Sequence, residues 1–208
     1  MEYGERFNTW THLLGALLAL IGGTVLIVLG AFSGDVWKIV GFSIYAATLV
    51  ALYGFSTLYH NAGPGRLKIL LQKFDHNAIY LLIAGSYTPF PLVSLRGPWG
   101  WSLFGVVWGL ALLGVFQELW LWRAGKSRWL SMLIYILMGW VALIAVMPLL
   151  EMLGTPGFIL LAAGGVAYTG GIVFYLHDKK FRHWHGIWHL FVLAGSALHY
   201  CAILLYVA

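Results

Sequence analysis

Charge is what this sequence has least of. Asp, Glu, Lys and Arg make up 9% of its 208 residues, where a soluble domain carries about one quarter. That scarcity excludes an ordinary soluble domain. Cysteine is nearly as rare: Cys201 stands alone inside the last apolar stretch, which excludes an intramolecular disulfide. No small-residue cleavage site ends the first apolar run, and that run is too long for a signal peptide. No internal repeat and no low-complexity segment is present. A net charge of +5 in a soluble protein would suggest nucleic acid. Here the basic residues fall between apolar stretches, so they speak of topology, and no nucleic-acid partner is expected.

What is there instead is hydrocarbon: 61% of the chain is hydrophobic, with a mean hydropathy of +0.85. Seven windows carry no Asp, Glu, Lys or Arg: 7–34, 39–65, 76–95, 97–117, 129–150, 152–177 and 183–208. Each can hold the roughly 20 residues that a helix needs to cross a bilayer. The expectation is an all-α, single-domain bundle of seven transmembrane helices over residues 1–208. Its spans are placed at about 8–32, 37–60, 72–93, 99–121, 129–149, 156–176 and 183–207. With that count, Arg6, Arg66, Lys68, Lys73, Arg123, Lys126, Arg128, Lys179, Lys180 and Arg182 fall on one side, ten of the twelve bases. Only Lys38 and Arg96 fall on the other. The positive-inside rule then places the N-terminus in the cytoplasm and the C-terminus outside a cell (plasma) membrane.

Polar residues inside such windows are few enough to be read one by one. Asn8, Thr11, His12 and Gly15 recur at spacings of three and four, so they share one helix face. That face either anchors and caps the first span or turns toward a site. The second span ends in Ser56-Thr57-Leu58-Tyr59-His60, with Asn61, Gly63 and Pro64 as stop signals. The third opens with Asp75 and His76, where the helix dipole alone would favour a carboxylate. Pro89 and Pro91 suggest a kink at its far end. Glu118 either pairs with Arg123 or Lys126 or belongs to a site. Spans five and six read as scaffold, with Pro156 opening the sixth and Gly164-Gly165 and Gly170-Gly171 allowing close helix approach.

The last span begins His183-Trp184-His185-Gly186-Ile187-Trp188-His189. His185 and His189, at i and i+4, stand on one helix face and can reach one metal ion. His199 lies about 15 Å deeper and reads as a hydrogen-bonded core histidine. Because successive spans alternate in direction, His60, Asp75, His185 and His189 gather near the cytoplasmic boundary. Ionisable groups inside membrane helices default to a functional role. Three neutral imidazoles plus one open position is the pattern of a catalytic Zn2+. Asp75 would orient or deprotonate the zinc-activated water, and Ser56 would hydrogen-bond water or substrate. Asn8, Thr11 and His12 would supply the surrounding shell that histidine ligands require.

These residues carry a resemblance. Glu5-x-x-Asn8-x-x-Thr11-His12-x-x-Gly15, Ser56-x-x-x-His60, Asp75 with Ile79-Tyr80, Ala84-Gly85-x-Tyr87-Thr88-Pro89 and His185-x-x-x-His189 resemble the hemolysin III branch of the progestin and adipoQ receptor family. That family belongs to a wider group with the alkaline ceramidases. The resemblance spans nearly the whole chain. It implies seven helices with a cytoplasmic N-terminus, a zinc held by His60, His185 and His189, and Asp75 approaching the metal through water. Relatives in the receptor and ceramidase branches are associated with lipid-amide hydrolysis. The short form resembles the bacterial members, linked to haemolysis and membrane-fluidity homeostasis, and the ligand recognition of the longer animal receptors is not carried over.

The leading expectation is a zinc-dependent intramembrane hydrolase of lipid amides or esters, with membrane lipids as substrate or ligand. Two rivals stand beside it: a receptor-like or regulatory membrane protein with structural zinc, and a pore-forming haemolysin. No span carries a polar stripe along its length, as a water-filled pore would want.

Overall fold

The computed structural model describes residues 4–121 and 129–208. Arg123, Lys126 and Arg128, expected on the cytoplasmic side, lie outside the described residues. Among the described residues there is no strand. The α-helices are α1 (Glu5–Ser33), α2 (Val36–Asn61), α3 (Arg66–Tyr87), α4 (Pro98–Leu121), α5 (Trp129–Gly139), α6 (Val146–Leu176) and α7 (Trp184–Tyr206). Helices are what an apolar chain in lipid must form, because only there can each backbone N–H and C=O be satisfied within the segment. Five helical stretches are long and apolar enough to cross a membrane: Glu5–Ser33, Val36–Asn61, Pro98–Trp120, Trp129–Leu176 and Trp184–Tyr206. The chain is a multi-pass membrane protein.

Side chains are arranged as a lipid environment dictates. Ile21 is 65% exposed and Ile144 71%, while Glu118, His12 and His189 are buried. Apolar groups gain nothing by leaving hydrocarbon, whereas polar groups there must find one another. Capping residues set the corners. Asp35 accepts from the Trp37 backbone N–H at 2.8 Å to open α2, and its other oxygen accepts from Arg96 Nη2 at 2.7 Å. The Trp37 backbone bond, helped by Arg96, holds the Asp35 carboxyl below its ordinary pKa. Lys38 donates to the Ala208 carbonyl at 2.9 Å. The two bases expected on one side, Lys38 and Arg96, therefore sit together at one end of the bundle.

Two elements differ from expectation. Helix α3 starts at Arg66, six positions before the expected residue 72, because its first turns carry Arg66, Lys68 and Lys73 and so fall outside the uncharged windows. Beyond Tyr87 the chain enters a π-helical turn at Phe90–Ser94, the distortion that Pro89 and Pro91 announce. The expected fifth and sixth spans form a continuous stretch of 48 residues. Within it a 3₁₀ turn occupies Val141–Ala145. The α-helix is interrupted at Gly154, whose φ of 64° and ψ of 170° are non-helical and suit glycine. Pro156 follows two residues after this break.

Contacts show that the chain turns back there. Ser131 of α5 donates to Glu118 of α4 at 2.8 Å, Tyr135 donates to the His76 carbonyl at 3.0 Å, and Tyr87 donates to the Gly139 carbonyl at 2.7 Å. So α5 runs along α3 in the same direction. After the break, Gly157 lies against Tyr206 and Gly171 against Trp188, so the rest of α6 descends antiparallel to α7. Helix α1 packs mainly on α2 and also on α7, and α3 lies between α2 and α4. The first turns of α1 and α7 thus meet the last turn of α2.

Candidate metal centre

The site begins with a close approach. A Cβ on Gly186 would lie 2.2 Å from Phe7 Cδ1 and 3.0 Å from Asn8 Oδ1. Only glycine at this position lets the start of α7 settle on the start of α1. The residue before α7, His183, has a positive φ of 65°, a left-handed turn that redirects the chain into the helix. His185 and His189 then face inward, one turn apart, toward His60 on the last turn of α2.

The three rings form a nearly equilateral triangle. Centroids are 5.0 Å apart for His60 and His185, 4.9 Å for His60 and His189, and 4.9 Å for His185 and His189. One ligating nitrogen from each lies within 4.8 Å of the other two. The Nε2 atoms of all three are buried and have no hydrogen-bond partner. Their Nδ1 atoms are all engaged. His60 Nδ1–H donates to the Glu5 carboxylate, and His185 Nδ1–H donates to Asp178 Oδ2 at 2.8 Å. His189 Nδ1–H donates to Thr11 Oγ1 at 3.2 Å, while the Thr11 hydroxyl donates to the Asn8 carbonyl at 2.9 Å. A ring that spends its Nδ1–H this way presents a bare lone pair at Nε2. Three bare lone pairs facing one another, each with a bonded partner behind it, fit a metal ion.

Other expected site residues fall around this triangle. Thr11 bonds His189 directly, and Asn8 lies one step out, its Nδ2 donating to Glu5 Oε2 at 3.4 Å. His12 bonds to none of them and instead stacks on His189, with centroids 3.5 Å apart. Ser56 is buried one turn before His60, its hydroxyl without a partner. Asp75 is buried and stands outside the converging group. It lines a cavity that runs between α3, α5, α6 and α7 and encloses about 1030 Å³, its open mouth included. From Asp75 and His12 the walls pass Ile79, Leu82 and Ile172 to Trp140 and His199. Beyond its first residues the lining is overwhelmingly apolar. Trp140 crosses one side, donating to Thr169 Oγ1 at 3.0 Å.

His199 donates from Nε2 to the Leu161 carbonyl at 3.0 Å, as a core histidine should. Glu118, among the described residues, accepts from Ser131 and lies 3.3 Å from His76 Nδ1; its expected partners Arg123 and Lys126 are outside them. Sequence reasoning missed Glu5 and Asp178 as partners of His60 and His185. It also missed Lys68, which donates to Glu5 Oε1 at 3.2 Å and to the Ala62 carbonyl at 3.2 Å. The available signal was their position at the same membrane edge as the histidines.

The family model described as "Haemolysin-III related" matches residues 3–200. The chain belongs to the haemolysin-III family. It is similar to Hemolysin-3 of Bacillus cereus, with 43% identity over 98% of this chain and 91% of that protein. It is also similar to the Hemolysin-3 homolog of Bacillus subtilis strain 168, with 42% identity over 97% and 93%. The human Monocyte to macrophage differentiation factor is 31% identical over 97% of this chain and 83% of its own length. Membership in the haemolysin III branch of the progestin and adipoQ receptor family, read from the motifs, therefore stands.

Proposed function

We propose that this protein is a zinc-dependent hydrolase of lipid amide or ester bonds, a single-domain bundle of seven crossings in the cell membrane. The observation that carries this reading is the set of three buried, unpartnered Nε2 atoms facing one another beside an apolar cavity. Seven crossings result when α3 is counted and when 129–176 is taken as two passes joined at Gly154. Ten of the twelve bases then face the cytoplasm with the N-terminus, and the C-terminus lies outside.

His60, His185 and His189 would hold the ion, and an imidazole donor set with one open position suits zinc. Bound there, zinc would lower the pKa of water and polarise a carbonyl. The apolar cavity takes the acyl chain and keeps bulk water from the reacting carbonyl. Asp75, at the cavity's inner end, removes a proton from the attacking water as its oxygen adds to the carbonyl carbon. The same carboxyl returns that proton to the departing amine or alcohol as the C–N or C–O bond breaks. Ser56 hydrogen-bonds water or substrate from α2. Membrane lipids are the substrates, entering from the bilayer.

The test is direct. Protein purified without chelator is analysed for transition metals, then reconstituted in vesicles carrying N-acyl and ester lipids while free fatty acid is followed by mass spectrometry. The expected result is near-stoichiometric zinc and fatty-acid release that tracks it. Absence of any transition metal, or metal-loaded protein that releases no fatty acid, overturns the reading.

A further inference from the structure

A fourth imidazole, expected in the shell around the triangle, stacks on it and makes no hydrogen bond there. His12 lies in α1 on the face turned toward α2 and α7, and it is only 2% exposed. Its ring stacks on His189 with planes 13° apart, and the edge of Tyr53 meets it at 5.1 Å. Neither ring nitrogen has a hydrogen-bond partner. A neutral imidazole always carries one N–H donor and one bare acceptor, and interiors rarely leave both unmet. A phenylalanine would fill the same stack without that cost.

Geometry rules His12 out as a fourth ligand. An imidazole lone pair lies in the plane of its ring. Because the His12 and His189 rings are nearly parallel and 3.5 Å apart, their lone pairs run side by side instead of meeting. The converging group accordingly contains His60, His185 and His189 without His12. The His12 nitrogens are therefore left for a partner other than a metal held by the three histidines. His12 also lines the apolar cavity together with Asp75, so an occupant of that cavity is the partner at hand.

We propose that His12 is a substrate-binding and catalytic residue whose ring N–H donates to the carbonyl oxygen of the lipid amide or ester seated in the cavity. It complements Asp75, which offers acceptor oxygens for the proton of water. A donor fixed in place by stacking is ready before charge builds on the carbonyl oxygen, which is what makes such donors effective in water-poor sites. No proton leaves His12. This assignment rests on the hydrolase reading for the identity of the oxygen.

The experiment compares wild type, His12→Phe and His12→Gln in zinc-loaded lipid nanodiscs. Metal content, thermal unfolding, binding of palmitic acid and fatty-acid release from an N-palmitoyl lipid are measured for each. Palmitate presents a carboxyl oxygen where the substrate carbonyl would lie, so its binding reads the His12 contact without turnover. His12→Phe is expected to keep wild-type metal content and unfolding temperature, to bind palmitate about tenfold or more weakly, and to lose about 10²-fold or more in rate. His12→Gln, which restores an N–H, is expected to recover part of both. Palmitate binding unchanged in His12→Phe overturns the proposal, since the ring then only packs. Loss of metal in that variant overturns it too, because His12 would then serve the ion. Absence of palmitate binding in wild type also overturns it. His12-dependent palmitate binding with no fatty acid released by wild type keeps the contact and sinks the hydrolase reading alone.

Discussion

Asp178 accepts a hydrogen bond from His185 Nδ1–H at 2.8 Å across the turn that joins α6 to α7. The carboxylate fixes the ring's tautomer, so that the lone pair on Nε2 is the one turned toward His60 and His189. Glu5 does the same for His60 from the first turn of α1. A metal ligand held by such a carboxylate is both better aimed and more basic.

Removing that support is expected to weaken metal binding without unfolding the bundle. Asp178→Ala is expected to lower zinc affinity by about 10- to 100-fold, measured by competition with a chromogenic chelator in detergent. Asp178 sits outside the packed helices, between α6 and α7, so the unfolding temperature of the metal-free protein should stay put. Unchanged affinity would show that the carboxylate plays no part in aiming the ring.

Metal removal itself reads whether the three histidines share one ion. A ligand that binds only the folded state at about 100 times its Kd stabilises by about 2.7 kcal/mol. Chelator treatment should therefore lower the unfolding temperature of wild type and leave that of His60→Ala unmoved. Equal sensitivity of the two proteins would mean that the ion sits elsewhere.

The converging histidines were legible in the sequence, as was Thr11 behind His189; Glu5 and Asp178 behind the other two were not, for a physical reason. His185 and His189 announce themselves by helical spacing, and His60 and Asp75 by sitting at the same end of successive apolar runs. Such arguments use only depth and period. Glu5 meets His60 across 55 residues, a contact fixed by how α1 packs on α2, which no local pattern encodes. Asp178 lies in a linker whose charges were read as topology alone. The same limit applies to Glu118, whose neighbours His76 and Ser131 come from two other helices. Apolar windows located most helices within a few residues. They misplaced the start of α3 because its first turns are helical and charged. Between 149 and 156 they leave a gap, and Gly154 within it has non-helical backbone.

Close packing of α6 on α7 gives a stability prediction. A Cβ on Gly164 would lie 2.1 Å from His199 Cδ2 and 2.5 Å from its Nε2. Gly164→Ala must displace the ring and break its bond to the Leu161 carbonyl. The expected loss is about 1–3 kcal/mol, seen as a lower thermal midpoint. Adding His199→Ala should restore part of it, since the two side chains then no longer compete for one space. A strictly additive double variant would show that the clash is relieved elsewhere.

Asp75→Asn separates a working site from a structural one. Asparagine keeps the shape of the side chain but cannot take a proton from water. Asp75 lies outside the converging histidines, so zinc content and unfolding temperature should match wild type. It lines the cavity where the acyl chain is proposed to sit, so fatty-acid release should fall by about 10²–10⁴-fold, the range that a positioned general base supplies. Ser56→Ala, removing a hydroxyl that only hydrogen-bonds, should cost about tenfold. The ratio of the two losses is the informative quantity. If both variants are equally impaired, Asp75 acts by holding water and not by accepting its proton. If Asp75→Asn loses zinc instead, the carboxylate is a fourth ligand, the open position is closed, and the ion belongs to the architecture of the bundle.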